Sequence, residues 1–144
     1  MARTTIEVDA APDAVWRVLA DSSAYGDWVV GTKGISRADA AWPQPGSALE
    51  YELGVGPISV GDRTVVVEAE EPRLLLLRAE LKRLGAATIR IELEPLAGRT
   101  RVVMDEEPVA GMLETVHTRV SDAALNTRNE VALDRLKRLA ETRA

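Results

Sequence analysis

Few side chains in this sequence could do chemistry, and their number narrows what that chemistry can be. His117 is the only histidine and there is no cysteine. A lone imidazole could act as a general base near neutral pH, or simply sit in solvent. It cannot assemble a metal site by itself, so a zinc centre of His and Cys ligands is excluded, as are a disulfide framework and a thiol nucleophile. No serine stands in a G-x-S-x-G elbow. Gly54 and Gly56 open no helix and lack the remaining glycine of a dinucleotide loop, so they read as a hairpin turn. Asp105-Glu106-Glu107, at a strand end, reads as a solvated acidic edge. No acid/base pair is evident, and His117 is left as the catalytic candidate.

Residues suited to holding a ligand are more numerous. If Glu68 and Glu70 face water, the period of two along a strand turns Arg63, Val65, Val67 and Ala69 inward, although a bulge at Gly61 would reverse this. An inward Arg63 needs a carboxylate or a ligand oxygen, because an unpaired buried charge is costly; otherwise it snorkels to solvent. Tyr51 shares an inner face with Leu49 and Leu53 and would give an aromatic wall with a hydroxyl handle. Asn129 and Arg128 flank the inner stripe of a long helix on opposite sides, where they could hydrogen-bond a ligand or satisfy a strand carbonyl. Trp28 lines a pocket entrance or packs helix on sheet. Leu77, Ile91, Met104 and Leu125 supply apolar wall.

The elements that position these residues follow from periodicity. Ile6 and Val8 share one face of a strand over Thr4–Asp9, opposite Glu7 and Asp9. Pro12 and Asp13 start a helix whose stripe is Val15, Trp16, Val18 and Leu19, with Trp16 in the core. Asp21, Ser22 and Ser23 cap a brief second helical turn that Gly26 stops. Six short alternating runs follow, near 33–39, 47–53, 58–70, 74–81, 87–94 and 99–107, separated by turns such as Trp42-Pro43-Gln44-Pro45-Gly46 and Glu71-Pro72-Arg73. That is an antiparallel meander. Residues 108–113 read as a loop. From Glu114 to Thr142 there is no Pro or Gly, and Leu125, Ala132, Leu136 and Leu139 fall on one stripe of a long helix, with Val116, Val120 and Val131 to one side.

At 144 residues, 46% apolar and 28% charged, the chain fits one domain spanning residues 1–144. Eighteen Lys and Arg against 23 Asp and Glu leave no basic stripe, so no nucleic-acid partner is expected. The beginning, MARTTIEVDA, lacks an apolar signal core, and no stretch approaches the roughly 18 apolar residues of a membrane span. A cytoplasmic location is expected, and no cofactor.

The sequence resembles the SRPBCC superfamily of START-like domains, in the branch of polyketide cyclase/dehydrase and lipid-transport proteins. The resemblance is carried by Ala11-Pro12-Asp13-Ala14-Val15-Trp16 with Leu19-Ala20-Asp21, by Tyr25-Gly26-Asp27-Trp28-Val29-Val30-Gly31, by Trp42-Pro43 with Pro45-Gly46-Ser47, and by Gly54-Val55-Gly56-Pro57. Val67-Glu68-Ala69-Glu70-Glu71-Pro72-Arg73 and Arg128-Asn129-Glu130-Val131-Ala132-Leu133-Asp134-Arg135-Leu136 complete it. It implies an α+β helix-grip fold: a seven-stranded curved antiparallel sheet wrapped around the C-terminal helix, with two short helices after the first strand. It also implies a hydrophobic or aromatic small-molecule ligand, lipid- or polyketide-like, held between sheet and helix. A polyketide cyclase/dehydratase acting in the same cavity, and a non-catalytic interaction domain marked by an exposed apolar patch, are the alternatives. Oligomeric state is left open.

Overall fold

A computed structural model of the chain describes residues 2–55, 57–81, 85–111 and 119–144. Strand β1 (Ala2–Val8) leads into helix α1 (Pro12–Leu19), a 3-10 turn (Ser22–Ala24) and helix α2 (Tyr25–Trp28). Six strands follow: β2 (Thr32–Ala38), β3 (Ala48–Val55), β4 (Ile58–Glu70), β5 (Leu74–Leu81), β6 (Gly85–Leu96) and β7 (Arg99–Ala110). Helix α3 (Arg119–Arg143) completes the described elements. All neighbours in the sheet are antiparallel, in the order β1-β7-β6-β5-β4-β3-β2, so the first strand closes onto the last. This is the helix-grip arrangement.

Local chemistry explains the entry into the sheet. Pro12 occupies the start of α1 and Asp13 its first turn, while Val15, Trp16, Val18 and Leu19 are buried. The Asp21 carboxylate then accepts the Ser23 backbone N–H at 3.0 Å, capping the 3-10 turn. Trp42 Nε1 donates to the Leu19 carbonyl at 3.1 Å and pins the loop before β3 onto the end of α1.

Helix α3 packs on β1, α1, α2 and β7. Its C-terminal half carries the core: Leu133, Leu136 and Ala140 are fully buried with Val8, Val15, Val18, Leu93 and Val102. Each such leucine contributes about 1.5–3 kcal/mol of apolar burial. The inner stripe is broader than its sequence pattern, because Leu133 and Asn129 join Ala132 and Leu136 while Leu125 and Leu139 are only half-buried. Val131 lies outside it, exposed. No helix among the described residues is long and apolar enough to cross a membrane.

Several expectations are corrected by pairing. Residues 108–110 continue β7 instead of forming a loop, with Pro108 opposite Ala87 and Ala110 opposite Ala86. Strand β3 runs on through Gly54 and Val55, which pair with Ser59 and Ile58, and the turn is correspondingly shorter. Gly61 pairs regularly with Glu52 and hosts no bulge. The bulge lies at Val67, between the Val66–Leu77 and Glu68–Leu76 pairs. Two residues of β4 there oppose one of β5, which reverses the inward set upstream: Asp62, Thr64 and Val66 are buried, whereas Arg63 and Val67 are exposed.

Candidate functional site

Above the packed half of the helix, the inner face of the sheet and α3 do not close. A cavity of about 420 Å³ lies between them. Its size has a local cause: Ala79 of β5, Ala87 of β6 and Ala132 of α3 line it, small side chains where the packed half presents leucines and valines. Leu77, Ile89, Met104 and Leu125 give the rest of the apolar wall.

One side of this cavity is aromatic. Tyr25 stands edge-on to Trp28 at 5.5 Å and to Trp42 at 6.3 Å, and tilts against Tyr51 at 5.1 Å. Since the chain has three Trp, two Tyr and no Phe, every aromatic residue except Trp16 belongs to this cluster. The Tyr25 and Tyr51 hydroxyls and Thr64 Oγ1 form a buried triangle, at 3.2 Å between the tyrosines, 2.6 Å from Tyr51 to Thr64 and 3.3 Å from Tyr25 to Thr64. Burial raises both tyrosines above their ordinary range, so they act as neutral hydroxyls.

The polar lining is more heavily charged than expected. Asp62 and Glu106 are buried and both line the cavity. Loss of solvent raises both carboxyls above their ordinary values. The Tyr51 hydroxyl and the Arg63 backbone N–H, which donates to Asp62 Oδ1 at 2.7 Å, oppose the rise at Asp62. Arg128 opposes it at both carboxyls, and the Asn129 amide does so at Glu106. Arg128 itself is committed: Nη2 donates to the Val30 carbonyl at 3.1 Å, and Nη1 lies 3.8 Å from Glu106 Oε1. One buried N–H group of a lining residue, Trp28 Nε1, has no hydrogen-bond partner among the described residues.

A family model for polyketide cyclase / dehydrase and lipid transport matches residues 2–141. The chain belongs to that family. Solved structures agree on the fold of this polyketide cyclase / dehydrase and lipid-transport member. The Zhui aromatase/cyclase of a Streptomyces species is 19% identical with a TM-score of 0.73, over 99% of this chain and 93% of that one. A Chromobacterium violaceum protein is 17% identical with a TM-score of 0.74, over 96% and 95%. An Arthrobacter aurescens protein reaches a TM-score of 0.76 at 16% identity, over 99% and 86%. No curated protein shows significant sequence similarity.

Within this family member the residues singled out by sequence have four different placements. Trp28, Tyr51, Leu77, Met104, Leu125, Arg128 and Asn129 all line the cavity. Ile91 does not: it is fully buried between Leu75 and Met104, one row nearer the packed half. Arg63 is a correction, because the Val67 bulge puts it on the outer face, between Glu50 of β3 and Glu80 of β5. There it borders an open depression of about 680 Å³ with Glu50, Glu52, Arg78 and Glu80. That hollow is larger than the inner cavity but more open and charged, and the deeper, more apolar inner cavity is the better small-molecule site. His117 lies outside the described residues. Among the described residues no group of three or more His, Cys, Asp and Glu could hold a metal.

Asp62 and Glu106 are the titratable lining residues that sequence reasoning missed. Glu106 was legible, since it continues the inward alternation of Val102 and Met104 and is no solvated edge. Asp62 was legible only through Arg63, whose outward neighbours Glu50 and Glu80 are its complementary charges.

Proposed function

We propose that this chain is a cytoplasmic single-domain binding protein that holds a hydrophobic or aromatic small molecule, lipid- or polyketide-like, in the cavity between sheet and α3. The observation that carries this reading is the largely apolar cavity of about 420 Å³, whose polar lining includes Tyr51, Asp62, Glu106 and Arg128. Apolar burial supplies affinity and the polar groups orient the ligand. The family supports the class of ligand, and the absence of cysteine suits a reducing compartment. The apolar patch required of an interaction domain is not supported among the described residues, whose exposed large hydrophobics are only Val67 and Val131, on separate elements.

The test is native mass spectrometry of protein from its own host, followed by identification of any released compound, alongside Ala79→Leu. A stoichiometric hydrophobic compound on the parent chain, lost from a folded Ala79→Leu variant, is the expected result. Apo protein with no thermal shift across lipids and polyketides would refute it.

A second reading is favoured by one observation, the Asp62 and Glu106 carboxyls facing the same cavity with raised proton affinity. In a polyketide cyclase/dehydratase, such groups would give and take the protons of aldol closure and water loss. Turnover of a poly-ketone, abolished by Asp62→Asn or Glu106→Gln with the fold intact, would establish it; binding without turnover would leave the carrier.

A further inference from the structure

We propose that the cavity takes a hydrophobic aromatic amine as its ammonium ion, with the positive charge held by Asp62 and Glu106. This deepens the binding reading above and rests on it. The first observation is the placement of the two carboxyls. Asp62 of β4 and Glu106 of β7 are 6% and 7% exposed, and both line the cavity. On the outer face of the sheet Asp105 pairs with Arg3 at 2.7 Å and Glu92 with Arg90 at 2.6 Å. The two inner acids are met differently. Asp62 accepts from the Tyr51 hydroxyl and, at 2.7 Å, from the Arg63 backbone N–H, both uncharged donors. Glu106 has the Asn129 amide, and Arg128 Nη1 stands 3.8 Å from it while Nη2 donates to the Val30 carbonyl. Among the described lining residues, two carboxyls thus share one guanidinium. A buried carboxylate is costly unless a positive charge compensates it, and a ligand ammonium supplies that charge with N–H donors attached.

The second observation is the aromatic wall. Tyr25, Trp28 and Tyr51 line the same cavity as the two acids. Ring quadrupole and carboxylate both favour positive charge, and more so where water is excluded, so rings beside acids are the surroundings an organic ammonium prefers. Trp28 adds a requirement of its own. It is 4% exposed, and its Nε1 hydrogen has no partner among the described residues. Buried N–H groups are normally satisfied and an indole nitrogen can only donate, so the body of the ligand also presents an acceptor, which an ether or hydroxyl oxygen provides. A ligand carboxylate would instead add a third acid to the wall, and an uncharged ligand would leave the two acids without compensation.

Three 6-methoxynaphthalenes of matched shape test this by calorimetry on the full chain at neutral pH: the 2-aminomethyl compound as its ammonium ion, the uncharged 2-hydroxymethyl compound and the 2-carboxylate. The ammonium is expected to bind about tenfold or more tightly than the alcohol, and the carboxylate more weakly than either. Asp62→Asn and Glu106→Gln should each cut the preference for ammonium over alcohol by about threefold to tenfold. Either variant suffices if the other fails to fold. Glu68→Gln removes an exposed acid from the same strand as Asp62 and should leave the preference unchanged. An equal cut there would assign the preference to the chain's net charge of -5 and overturn the inference. An alcohol or carboxylate that binds as tightly as the ammonium, or a preference that survives both cavity variants, would overturn it too and leave the binding reading standing. Failure of all three to bind would overturn the binding reading, and this inference with it.

Discussion

Helix α3 runs along two different environments against one sheet. From Leu133 to Ala140 it meets leucines and valines, and its inward side chains are fully buried. From Leu125 to Ala132 it faces a cavity edged by alanines, two buried carboxyls and one unpaired indole N–H. The difference teaches where stability is concentrated and where it is forgone. Close packing holds one half together, and the other half keeps open volume lined by polar and titratable groups.

Truncation should break that comparison most visibly. Leu136→Ala, in the packed half, is expected to cost about 2–5 kcal/mol in urea unfolding, whereas Leu125→Ala, half-buried beside existing empty space, should cost under about 1 kcal/mol. Equal losses would mean that the cavity half is packed as tightly as the core.

The next effect is a backbone one. Gly85 has φ +123°, and a Cβ placed there would lie 2.0 Å from the Ala110 carbonyl oxygen. Gly85→Ala should therefore destabilise by about 1–3 kcal/mol and lower amide-exchange protection at the Gly85–Ala110 end of the β6–β7 pair. The packed half, around Leu93 and Val102, should keep its protection.

The two tryptophans sharpen the comparison at the level of single atoms. Trp42→Phe removes a bond to the buried Leu19 carbonyl and is expected to cost about 1–2 kcal/mol by thermal or urea unfolding. Trp28→Phe removes an N–H that bonds nothing among the described residues, so its effect on the apo protein should be close to zero. A loss at Trp28 as large as that at Trp42 would mean that its N–H is already satisfied.

The smallest effect is the pH dependence. Burial raises Asp62 and Glu106 above their ordinary values of 3.8 and 4.5, so the folded state keeps protons that the unfolded chain releases. Stability should rise as pH falls from neutral toward that ordinary range. Asp21 and Glu141 are held lower by Ser23 and Lys137, so their contribution is lost as pH falls below it. Melting temperatures from pH 7 to 5 should climb, and the climb should flatten in the Asp62→Asn, Glu106→Gln double variant.

Much of the fold was legible because alternation is a geometric demand: a half-buried strand must place every second residue inside. That rule located Tyr51, Leu77 and Met104 correctly on the inner face, and helical spacing brought Leu125, Arg128 and Asn129 to the same wall. It failed on β4 because one added residue resets the alternation, and nothing in the residue types around Val67 marks a bulge. It was not applied to Glu106, where an acidic triplet invited a solvent-facing reading. The exclusion of Ile91 from the cavity depends on how deep each cross-strand row lies, which alternation does not encode.

The bulge at Val67 makes the length of β4 negotiable. Were the ladder regular with Val67 retained, Arg63 would replace Asp62 inside and sit near Arg128 as a second buried cation. The bulged register keeps Arg63 outside and leaves the Val67 side chain 52% exposed. Deleting Val67 would instead straighten the strand without changing which residues face inward. Of all the positions in β4, this is the one where the chain can lose a residue and keep the sign of every charge in its cavity.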